Sequence, residues 1–140
     1  MRNSLQPEPI TSTTTTTKEF IWNEQTLNQA IEIIADEEGF DDIFLLKELA
    51  RIESQYLKHP EVLENNGWYS RGLFHFRVST LIEQASKYNL IPKDTTIEQG
   101  KVLAYDVELQ IRTICRMGKD DMRLIRQHWF NSWNKVYMCR

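Results

Sequence analysis

A mostly α-helical domain of about five to six helices, with at most a small β-hairpin, is the architecture this sequence predicts, and three observations carry it. From Phe20 onward, apolar residues recur at spacings of three and four, the period of a helix with one buried face. Turn-forming residues such as Gly39, Gly67 and Pro92 fall between these runs. The chain has 140 residues, 41% of them hydrophobic and 11% aromatic, which is enough apolar material for one core and one domain.

The elements follow in order. Met1 to Lys18 holds two of the four prolines and the tract Thr11-Ser12-Thr13-Thr14-Thr15-Thr16-Thr17, so residues 1–18 are expected to be a disordered tail or linker and 19–140 the folded domain. Leu27, Ala30, Ile31, Ile34 and Ala35 form the first helical stripe, with Thr26 and Gln29 as a candidate capping box and Gly39 as the stop. A second helix opens at Asp41 or Asp42 and carries Ile43, Leu46, Ala50 and Leu57. Lys58 to Ser70 has no helical period, and Trp68 to Phe76 is expected to be extended. Thr80 with Glu83 suggests a capping box for a third helix bearing Leu81, Ile82, Ala85 and Tyr88. Thr95 with Glu98 repeats the signal before one long helix through Leu103, Val107, Ile111 and Ile114 to Gly118. Asp120 or Asp121 caps the last, whose face reads Met122, Ile125, Trp129 and Trp133.

Composition narrows the function. Seventeen Lys plus Arg against twenty Asp plus Glu give a net charge of −3, which argues against a nucleic-acid partner. Two cysteines, Cys115 and Cys139, fall short of a disulfide scaffold, and a single bridge between them is left open. No apolar run reaches the roughly 18 residues of a membrane span, and no secretion signal is legible at the start. Asp36, Glu37, Glu38, Asp41 and Asp42 cluster, but in an order that fails the calcium-loop spacing. His59, His75 and His128 lack metal-ligand spacing, so neither a metal nor another cofactor is expected. Cys115, on an apolar helix face, reads as a small core residue.

Glu53 is the residue out of place. It falls on the apolar stripe of the second helix, three after Ala50 and four before Leu57, where lost hydration favours the protonated carboxyl that general-acid chemistry needs. The plainer alternative puts it at the stripe's edge beside Arg51 or Lys47.

Glu53-Ser54 is followed nineteen residues after the Glu by Gly72-Leu73-Phe74, within Ser70-Arg71-Gly72-Leu73-Phe74-His75-Phe76. This pairing resembles the soluble lytic transglycosylases and goose-type lysozymes of the lysozyme-like superfamily. Val107-Glu108-Leu109-Gln110-Ile111 is similar to that family's helix with a Gln-Ile pair, and His128-Trp129-Phe130-Asn131-Ser132-Trp133 to its aromatic closing segment. The resemblance spans about Ile43 to Val136. Two departures stand beside it. His75 occupies the place of the family's Gln, and the Tyr-Asn-x-Gly motif, whose tyrosine supports the acid, is missing.

The resemblance implies cleavage of the β-1,4 bond between N-acetylmuramic acid and N-acetylglucosamine in peptidoglycan, with Glu53 as the single acid and base. The glycan strand is the expected partner, the chain a monomer, and the place of action the cell envelope or the extracellular space. Ser54, Trp68, Ser70, Gly72, Leu73, Phe74, His75 and Trp129 are the expected substrate contacts, with Glu53 at the floor of a groove flanked by Gly72 and Trp68. Trp68 is the best stacking candidate among the aromatics, since it follows the polar Asn65-Asn66-Gly67. Core packing is the competing assignment for Phe74 and Phe76. Glu61 and Glu64 are available as a second carboxylate, which would favour hydrolysis. Neither holds a motif position, so the expectation leans slightly toward the transglycosylase outcome. Two rivals remain: a lysozyme-like glycan-binding or assembly module without catalysis, and a helical interaction domain with no sugar site.

Overall fold

The second helix decides where Glu53 lies, and its ends are set by local chemistry. In the computed structural model, which describes residues 21–137, Asp42 accepts the Leu45 N–H at 3.1 Å and opens the helix Ile43–Ser54. Preceding it, Glu24–Glu38 forms α1, so Ile43–Ser54 is α2. Gln55, Tyr56 and Leu57 all take left-handed φ values, 50°, 56° and 69°, and the Tyr56 N–H turns back to the Ala50 carbonyl at 3.1 Å. Leu57 therefore lies beyond the helix it was expected to extend, and Glu53 sits in its last turn.

The capping boxes moved for a physical reason. The α1 cap is Asn23, which accepts the Thr26 N–H while Thr26 Oγ1 accepts the Asn23 N–H, both at 2.9 Å. An Asn caps as well as a Thr, so the helix starts one turn earlier than the Thr26–Gln29 pair implied. Gly39, at φ 72°, stops it.

After α2 comes a three-stranded antiparallel sheet, β1 (Glu61–Leu63), β2 (Tyr69–Arg71) and β3 (Phe76–Arg77), one strand more than a hairpin. Val62 pairs with Ser70, and Ser70 with Arg77. The helix α3 (Val78–Lys87) follows β3 directly, so the Thr80–Glu83 box is internal and Arg77 precedes the helix without a side-chain cap. The long helix expected from Thr95 to Gly118 is two. Thr96 and Gln99 box α4 (Ile97–Leu103), and Asp106 accepts the Leu109 N–H at 3.0 Å to start α5 (Val107–Asp120). A second break at Trp129 separates α6 (Met122–His128), capped by Asp121, from α7 (Phe130–Tyr137). The described residues thus hold seven helices, mostly α with a small sheet. Both breaks keep the apolar stripe in phase, which is why periodicity merged the pieces.

α5 is the central element. It packs against α1, α3 and α6, while α2 packs against α1 and α7 and the sheet leans on α3. Ile111, Ile114 and Cys115 on α5 are fully buried beside Leu27 and Ile31 of α1 and Leu46 and Leu49 of α2. Removing that apolar surface from water is the dominant favourable contribution to the fold.

Candidate active site

The end of α2, the sheet and the α6–α7 junction enclose a cavity of about 450 Å³, and Glu53 lines it with a side chain 20% exposed. The carboxylate is held at both oxygens. Oε2 accepts a hydrogen bond from Ser132 Oγ on α7, and Oε1 lies 3.5 Å from His75 Nδ1. On the far side of the imidazole, Nε2 is 2.6 Å from the His59 carbonyl oxygen. A carbonyl only accepts, so that nitrogen carries a hydrogen. Nδ1 of a neutral ring is then a lone pair facing a carboxyl oxygen, and the contact is attractive only if one proton lies between them. A protonated imidazole pairs with the Glu53 carboxyl group across that 3.5 Å distance.

Burial of His75 works against its cationic form, but the hydrogen bond the imidazolium donates to Glu53, the His59 carbonyl and the charges of Glu53 and Glu64 outweigh it, and the imidazole is raised above its ordinary value. Glu64, Arg77 and His128 are the other ionisable groups lining the cavity. His128 moves the opposite way, lowered by burial despite the charge of Glu83.

The expected substrate contacts divide once placed. Ser70 and Trp129 line the cavity with Glu53 and His75, although both are largely buried. Ser54, Leu73 and Phe74 are buried at 0%, 1% and 0% and do not line it. They form the scaffold under the site. Ser54 Oγ donates to the Leu73 carbonyl at 2.7 Å, Gln110 Oε1 accepts the Phe74 N–H at 2.8 Å, and Trp129 Nε1 donates to the Phe74 carbonyl at 2.7 Å. Phe76 meets the Trp129 ring edge-on at 4.9 Å. The clamped turn leaves His75 at φ 53°, and that backbone twist turns its side chain out of the core toward Glu53.

Gly72 also has a different task from the one expected. It is buried at φ 86°, where a Cβ would fall 2.1 Å from Gln110 Nε2 and 2.2 Å from the Ala104 carbonyl oxygen. Its bare backbone admits a neighbouring helix, not a sugar. Gln110 Nε2 donates to the Ala104 and Arg71 carbonyls at 2.6 and 2.8 Å, which fills the space a side chain would need. Trp68 is 66% exposed, but it lines a second cavity and not that of Glu53. The groove flanked by Gly72 and Trp68 is thus replaced by one flanked by His75 and Ser132.

Comparison of the chain with family models, with curated proteins and with solved structures finds no match. The site therefore speaks through its own geometry. Ser132, which holds the acid, was legible by the same logic that singled out Glu53. It is a polar residue three after Trp129 and four before Val136 on an apolar stripe.

Three carboxylates of the acidic cluster have structural partners. Glu37 and Glu38 pair with Arg112 at 2.6 and 2.8 Å, Glu38 also with Arg116 at 2.8 Å, and Asp42 caps α2 and accepts from Tyr137 Oη. No group of three or more His, Cys, Asp and Glu side chains suited to a metal occurs among the described residues. Cys115 is buried, and burial pushes its thiol up to about 12, which disfavours the nucleophilic thiolate. Cys139 and the Thr-rich stretch lie outside the described residues.

Proposed function

We propose that this chain cleaves the β-1,4 bond between N-acetylmuramic acid and N-acetylglucosamine in peptidoglycan, with Glu53 as the acid and then the base. The observation that supports this most is a carboxyl in a cavity large enough for sugar rings, held at one oxygen by Ser132 and facing His75 Nδ1 at 3.5 Å with the other. A carboxyl group in its protonated form can protonate a departing glycosidic oxygen as positive charge grows on the sugar ring. The resulting carboxylate can then take a proton from the incoming nucleophile. Ser132 and His75 fix its direction through both steps. The resemblance of Glu53-Ser54 and Gly72-Leu73-Phe74 to lytic transglycosylases and goose-type lysozymes supports the same substrate.

The nucleophile is either the sugar's own 6-hydroxyl, which gives a 1,6-anhydro product, or water. Glu64 lines the same cavity, and a second carboxylate across the bond supports hydrolysis as the alternative outcome. Digestion of purified wall, with the products weighed, separates the two, since an anhydro end is lighter than a reducing end by one water. If Glu64 activates water, Glu64→Gln removes the reducing-end products and spares any anhydro ones. A glycan-binding module without catalysis is the second reading, favoured by the imidazole in place of the family's amide. Saturable binding of glycan with no products from any wall preparation supports that reading over cleavage.

A further inference from the structure

The sheet separates two cavities. Ser70 lines that of Glu53, while its neighbours on β2, Tyr69 and Arg71, line a second of about 420 Å³ beside α3 and α4, as the alternation of a strand requires. Arg77 lines both. The second cavity has the lining of an anion site with an apolar wall. Arg71, Arg77 and Lys101 contribute to it and no carboxylate does, while Trp68, Tyr69 and Ile97 stand 66%, 43% and 44% exposed around it. Arg71 lies over the Tyr69 ring at 5.5 Å, and its buried Nε has no hydrogen-bond partner among the described residues. Lys101 has an acid within reach, Glu98 at 3.1 Å, but this exposed pair along one helix is weak and readily exchanged.

We propose that this second cavity binds a short peptide bearing carboxylates, the acidic branch of the strand whose sugar backbone occupies the Glu53 cavity. The cations recognise the carboxylates, and the faces of Trp68 and Tyr69 pack against the flat amides. Arg77, common to both cavities, is where the branch passes from one to the other. The choice of branch rests on the peptidoglycan reading, since such strands carry short acidic peptides. The recognition of a peptide carboxylate does not.

Calorimetry on the Glu53→Gln protein, with the synthetic dipeptide N-acetyl-Ala-γ-Glu as the probe, reads this binding without turnover. Saturable binding is expected, weakening as salt is raised. The same dipeptide with both carboxyls amidated is expected to bind at least about tenfold more weakly. Lys101→Glu and Trp68→Ala, both changes at outward side chains, should each cost a similar factor. Equal binding of the acid and the diamide, no heat at millimolar dipeptide, or parent-level affinity in both variants overturns the proposal. Cleavage of peptide-free glycan by the parent tests the other cavity alone. Cleavage without dipeptide binding sinks only the inference made here, and dipeptide binding without cleavage sinks only the glycosidase reading.

Discussion

His75 changes what the acid can do with pH. The imidazole is raised above its ordinary value, so it becomes a cation as pH falls through that raised value and then stands charged beside Glu53. The kcat/KM profile of the parent should therefore show a step where the imidazole ionises. His75→Gln has no ring to ionise, and its profile should lack that step. Superimposable profiles of kcat/KM would place the imidazole outside the chemistry. The same ionisation enters stability. Because the folded value exceeds the roughly 6.5 of an unfolded His, the contribution is fully present below about pH 6.5 and disappears as pH rises through the raised value. The Tm difference between the parent and His75→Gln should shrink over that window. Ser132 acts on the other oxygen. Losing a hydrogen bond to a charged group costs about 1.5–3 kcal/mol, so Ser132→Ala should lower kcat by about tenfold or more with KM little changed, and Ser132→Thr should restore much of it. A variant that changed KM alone would make Ser132 a sugar contact.

The turn from Gly72 to His75 is the element that carries the site, and its design is mechanical. Three side chains, Ser54 of α2, Gln110 of α5 and Trp129 at the α6–α7 break, hold the backbone at Leu73 and Phe74 and so fix where the imidazole that follows meets Glu53. Gly72→Ala sets a methyl against Gln110 Nε2 and the Ala104 carbonyl at a left-handed φ, and overpacking of this kind costs about 1–3 kcal/mol before the backbone strain is added. Its Tm should fall by several degrees, and activity should fall with it as the turn shifts. An unchanged Tm would mean that Gln110 swings aside at no cost. Gly-Leu-Phe was visible in the sequence as a marker of the site, but its role was not. The expected extended run is interrupted by the turn at 72–75, and it is the left-handed φ of His75, not strand alternation, that separates it from Phe74 and Phe76, while the burial of Leu73 and Gly72 depends on α5, more than thirty residues away. The Trp68 assignment went astray for a related reason. Exposure and a polar approach mark a stacking residue, but which face of the sheet it serves depends on a register that no local signal contains.

Across the whole molecule, helix type and the buried stripes were legible because the 3.6-residue period is strong, while the breaks at Ala104–Asp106 and at Trp129 were not, since a kinked helix can keep its stripe. The acidic cluster at the end of α1 found its partners on α5. Glu38 loses hydration, which raises its carboxyl, but the hydrogen bonds and charges of Arg116 and Arg112 prevail and hold it below its usual value. Stability from that network is present above the ordinary carboxylate range and is lost as pH falls through the lowered value. Glu38→Gln should lower Tm at pH 7 and narrow the gap to the parent in strong acid, and a gap that stayed constant to pH 2 would remove the network from the acid transition. All of this scaffolding converges on one carboxyl. The most direct measurement is the release of soluble fragments from purified peptidoglycan by the parent and by Glu53→Gln, with the fold of each checked by its Tm. The account predicts products from the parent, a rate lower by about 10² to 10⁴ in the variant, and Tm values that agree closely. Turnover within a few-fold of the parent in Glu53→Gln would contradict it.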